Sequence, residues 1–117
     1  MDASNYLENA VINTHLRTGT PQIALYSVIP TPAGTGGTEV VGGSYARQDV
    51  TFVAPTAGIT SNSTAITFSA MPTVVVRAAA IWLGANLIAL KTLSQPRTVT
   101  ANSNYVITAG DIVVRVA

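Results

Sequence analysis

At 117 residues the chain is long enough for one hydrophobic core and too short for a second lobe that would close over a substrate. Hydrophobic residues make up 48% of it and charged residues only 9%, against roughly a quarter in ordinary globular proteins, and the net charge is +1. There is no cysteine, which excludes disulfides and thiolate metal sites; the basic residues are too scattered for a nucleic-acid footprint; and no apolar run reaches the ~20 residues of a membrane-spanning helix.

So little charge leaves a free monomer poorly guarded against self-association, which predicts a homo-oligomer or a larger assembly. The opening MDASNYLENA has neither a basic nor an apolar leader region, so no secretory signal is expected.

Residues 5–17, NYLENAVINTHLR, form the one helix candidate. Asn5 is placed to cap it, Glu8 to complete a capping box, and Gly19 with Pro21 to stop it. Leu7, Ala10, Val11 and Thr14 share one face, with Ile12 and Leu16 wrapping further round. So short a helix needs to dock on a sheet or on a neighbouring copy.

From Gln22 the pattern becomes that of strands. QIALYSVI between Pro21 and Pro30 reads as a first core strand, and PTPAGTGGT at 30–38 as a loop that needs an outside contact to order it. EVVGGSYARQDV and TFVAP form a second strand pair broken at Gly42-Gly43 and anchored by Tyr45, Val50 and Phe52. The polar stretch TAGITSNST precedes AITFSAM. Thr73–Leu83 then suits a long buried strand that turns at Gly84-Ala85-Asn86 into LIALKTL; three alanines favour a helix there, but Val74–Val76 and the turn signal favour the hairpin. Pro96 marks an edge or a turn, and NYVITAGDIVVRVA reads as two short strands around Ala109-Gly110-Asp111. Seven to nine short strands predict a mainly β, antiparallel sandwich or barrel with one short N-terminal α-helix. The whole of 1–117 forms one domain, with a β-rich body from about residue 22 onward.

The inventory of reactive side chains is thin. His15 is the only histidine and has no ligand partner at metal-site spacing, and the carboxylates Asp2, Glu8, Glu39, Asp49 and Asp111 match neither a calcium loop nor an acid/base pair. Gly34-Thr35-Gly36-Gly37 lacks the lysine of a phosphate loop, and Ser44 and Ser63 lack a nucleophile setting. Asn62-Ser63-Thr64 has the glycosylation pattern but reads as turn chemistry. Trp82 and the tyrosines at 6, 26, 45 and 105 read as core and interface anchors before sugar-stacking rings. No catalysis, cofactor, metal or small-molecule substrate is expected.

SNYLENAVINTHLRTGT, the strand IALYSVIPT, Gly-Gly-Thr-Glu-Val at 36–40 and GGSYARQDVTF at 42–52 together resemble a family of small structural proteins of tailed phages and prophages. Its members are variously described as capsid decoration (cement) proteins, tail-fibre-like proteins or phage structural proteins. The likeness continues through TSNSTAITF and LIALKTLSQPRTVTANSNYVITAGDIVVRV, and departs at MPTVVVRAAAIWLGANL, where relatives carry a Trp-Gly, aromatic-rich stretch.

The resemblance implies a virion component without enzymatic activity. Its size favours a decoration protein on the outer capsid surface, a trimer that binds the major capsid protein and stabilises contacts between its subunits; the alternative is a tail, baseplate or tail-fibre component that touches host surface glycans. Tyr6, Leu7, Val11 and Leu16 on the helix, Pro30 and Pro32 in the loop, and Trp82 are the expected interface residues. Neither nucleic acid nor membrane is expected as a partner.

Overall fold

The computed structural model describes residues 1–116. In chain order they form α1 (Asn5–Leu16), β1 (Gln22–Val28), β2 (Thr38–Glu39), β3 (Gln48–Asp49), β4 (Ile59–Ser61), β5 (Ile66–Phe68), β6 (Val74–Leu83), β7 (Asn86–Val99), β8 (Tyr105–Ile107) and β9 (Val113–Arg115). The chain is therefore mainly β with one helix, as its pattern predicts.

The cap of α1 differs from expectation. Ser4, with extended backbone, caps the helix, and its hydroxyl accepts from the Leu7 amide at 3.2 Å. Asn5 is thus the first helical residue and Glu8 lies one position too far along for a capping box. The sequence leaves open which face of the helix is buried. Ile12 and Leu16 enter the core, while Leu7 and Val11 stay exposed, because the helix carries two apolar stripes and docks by only one.

The main sheet runs β2-β1-β6-β7, with β3 pairing the start of β1 beside β2, and every pairing is antiparallel. Its longest pairing is the β6–β7 hairpin, in which Leu83 pairs Asn86 across the two-residue turn Gly84-Ala85. Gly84 adopts φ +59, the left-handed value that a glycine at the first turn position tolerates. The register slips twice. Opposite Ile81 the extra residue Ile88 is inserted, and opposite Arg77 the segment Leu93–Pro96 bulges from the ladder. Pro96 is accommodated because β7 ends the sheet order and has a free outer edge.

Two small antiparallel sheets, β4-β9 and β5-β8, pack with α1 against one face of the main sheet. Ile23, Leu25, Val76 and Ile81 from that face join Ile12, Leu16, Phe68 and Met71 in the principal core. Tyr45 stacks on Phe68 at 5.8 Å and Tyr105 meets its edge at 6.2 Å. The expected anchors Val50 and Phe52 are buried there as well. The layers are sandwich-like, and β7 does not pair with β2, so the barrel alternative is set aside.

Asn62 locks the β4–β5 connection to the β8–β9 turn. Its amide donates to the Thr64 and Thr108 carbonyls and its oxygen accepts from the Ile112 amide, all within 3.0 Å. At 2% exposure it is a buried polar brace.

Candidate interaction surface

The other face of the main sheet carries a second, smaller cluster of Ala24, Tyr26, Ala78 and Ala80, flanked by Trp82, Leu87 and Leu90. The glycine-rich loop after β1 folds back over it. A Cβ added at Gly34, which has φ +81, would lie 2.9 Å from Trp82 Cη2, so only glycine allows this approach. The outside contact that the loop needs is therefore supplied by the chain's own tryptophan. Trp82 Nε1 donates to the Tyr26 hydroxyl at 3.0 Å, and the Arg47 guanidinium lies 4.9 Å from the indole centroid.

Arg47 is held from its other side by Glu39 through two nitrogens, the shorter contact being 2.8 Å. The Tyr45 hydroxyl donates to Glu39 at 2.7 Å and accepts from the Leu25 amide at 2.9 Å, which continues the network into the core. Partial burial would raise the Glu39 pKa, but the hydrogen bonds from Arg47 and Tyr45 and the Arg47 charge outweigh it and hold the carboxyl below its ordinary value. Burial, reinforced by the Glu39 carboxylate, pushes the Tyr45 hydroxyl far up despite its bond from Leu25. The Glu39 hydrogen bond raises the Arg47 pKa against its own partial burial. The network is a structural clamp with no free reactive group.

A groove opens on the principal-core side between α1, β7 and β9. It encloses about 370 Å³ and is walled by Val11 and His15 of the helix, Leu87–Ala89 of the hairpin and Val114–Val116 at the end of the chain. The Ile88 insertion shapes it, since a two-for-one bulge directs both Ile88 and Ala89 toward the principal core, where a regular strand would alternate them. Its lining contains His15 and Arg115 and no carboxylate, so His15 has no acid/base companion there. Among the described residues no three of His, Cys, Asp and Glu lie together at metal-binding spacing, and no helix is long and apolar enough to cross a membrane.

The expected interface residues divide. Tyr6, Leu7 and Val11 are 86%, 52% and 36% exposed on α1, and Pro32 is exposed in the loop. Leu16, 3% exposed, is core, and Pro30 is buried where Gly37 closes on it, so neither offers surface to a partner. Trp82 is half-buried beneath the loop. Tyr6 sits over a shallow depression with Asn9, Ala10, Asn13 and Thr14, while the other tyrosines are packed, so no cleft of exposed aromatic rings is formed. Leu87–Ala89 and Val114–Val116 escaped the sequence reading. Nothing in the local pattern of either segment marks it, because only the fold brings them together.

A family model described as "Podophage GP4 fiber I protein gp80" matches residues 2–115. The chain belongs to this family. No curated protein matches it. Membership in the fibre I family agrees with the resemblance to tailed-phage structural proteins and makes the chain a virion component. The family is described as a fibre protein, which favours the tail alternative over the capsid-decoration reading.

Proposed function

We propose that this chain is a non-enzymatic building unit of a podophage tail fibre, a single structural domain that works by binding other virion proteins, copies of itself included. The observation that carries the reading is the fibre I match along residues 2–115. The physical inventory supports it. The Glu39–Arg47 and Asn62 networks are braces that hold backbone in place, and the apolar groove beside α1 lacks the paired acid and base that catalysis at such a site requires.

Capsid decoration is the second reading and shares the same low-charge, partner-seeking composition. On the fibre reading neither the major capsid protein nor a trimeric state is required, and of the tyrosines and Trp82 only Tyr6 stands exposed. The test is to mix the purified chain with tails and, separately, with empty heads from the same phage and to sediment each. Co-sedimentation with tails is expected. Saturable binding to heads with a raised head melting temperature, and none to tails, would overturn the fibre reading in favour of decoration.

A further inference from the structure

The isolated chain exposes 6664 Å², whereas a monomeric protein of its 12.1 kDa mass is expected to expose about 6000 Å². The excess of roughly 600 Å² approaches the ~800 Å² that each partner contributes to a standard interface. The fold is correspondingly drawn out, at 47 × 28 × 26 Å with a radius of gyration of 14.6 Å against about 13 Å for a compact chain of this length.

The exposed apolar side chains of α1 have a particular arrangement. Leu7, Val11 and His15, spaced four apart, form one exposed ridge along the helix, and the groove lined by Leu87–Ala89 and Val114–Val116 runs directly beside it. A ridge beside a groove is self-complementary under a twofold axis, because the ridge of each copy fills the groove of the other. Charge agrees with the antiparallel arrangement. Glu8 lies in the first turn of α1, His15 in the last, and Arg115 in the groove wall. Antiparallel helices bring the acidic end of one copy to the basic end of the other, and their macrodipoles are aligned favourably as well.

We propose that a second copy of this chain occupies the groove, with the two α1 helices antiparallel across a twofold axis and each Leu7–Val11–His15 ridge seated between β7 and β9 of the other copy. The inference rests on the self-binding part of the fibre reading, and it makes the basic unit a dimer in place of the trimer expected from the sequence.

Sedimentation equilibrium of the full chain tests it. The wild type is expected at twice 12.1 kDa. Val11→Glu and, independently, Leu7→Gln, both at exposed positions, are expected to stay folded by circular dichroism and to weaken association by at least about tenfold in Kd. Glu8→Lys and His15→Glu should each weaken it, and the double exchange should restore it. A monomer at every concentration, a trimer, or a dimer indifferent to both ridge substitutions would overturn the proposal. Tail co-sedimentation, measured on the same samples, judges the fibre reading separately.

Discussion

Asn62 shows how one side chain reinforces a connection made of isolated bridges. Its backbone already bonds Ile112 and Gly110, and the carboxamide adds bonds to Thr64 beside it and to Thr108 and Ile112 across the fold. Asn62→Ala removes three hydrogen bonds at once, so a loss of about 3 kcal/mol in urea unfolding is expected. A change within experimental error would show that water replaces the brace. Glu39 makes a pH-dependent contribution. Its folded pKa is held below the ordinary carboxylate value, so the stability it adds is full above that ordinary value and is lost as pH falls through the lower folded one. Glu39→Gln should therefore flatten the acid limb of the stability profile in that window. Tyr45 acts at the opposite extreme: with its folded pKa raised, its contribution is complete below the ordinary tyrosine value and lost as pH climbs beyond it. The sequence offered these residues only as turn and anchor chemistry, since partners as distant as Asn62 and Ile112 have no shared local pattern.

At the scale of elements, legibility followed local pattern. The ten residues of β6 with the turn at Gly84, and the short strands β8 and β9 around Gly110, were readable because β-branched density and turn chemistry agree there. β4 was not, lying in a polar stretch, and the expected second strand pair is corrected: β2 and β3 each pair with β1, because pairing partners are set by the fold and not by neighbouring sequence. On α1 the sequence left the rotation open. Leu7 and Val11 are as apolar as Ile12 and Leu16, so composition alone could not say which stripe the sheet would take. Two glycines separate local from tertiary constraint. Gly84 and Gly58 both have positive φ, but a Cβ at Gly84 meets nothing within 4 Å whereas one at Gly58 lies 2.7 Å from the Val116 carbonyl oxygen. Gly84→Ala should cost about 1 kcal/mol from backbone conformation alone. Gly58→Ala should cost distinctly more, because it also pushes the end of β9 away from the turn before β4 and from Glu8. Equal losses in thermal melts would mean that the packing between helix and chain end is loose.

For the whole molecule, composition was the most informative signal. A 9% charged chain is built to spend its working life against other protein surface, and the fold makes this concrete by leaving an apolar ridge and groove beside each other instead of closing one over the other. The sequence could place the helix side of that surface, and not the groove walls contributed by residues 87–89 and 114–116. The free edge of β7 bears on a hazard of such a composition. Along its outer half, Lys91, the Leu93–Pro96 bulge and Arg97 interrupt any template for strand addition, while the Asn86–Leu90 portion has only the groove beside it. Fibres bring many copies close together, and a straight, uncharged β7 would be a seed for amyloid growth. Replacing Lys91 and Pro96 together with valine should turn concentrated solutions thioflavin-positive while single folded molecules keep their circular dichroism. The irregularity of β7 would then be what keeps a sticky chain assembling as discrete folded units and prevents it from stacking into cross-β filaments.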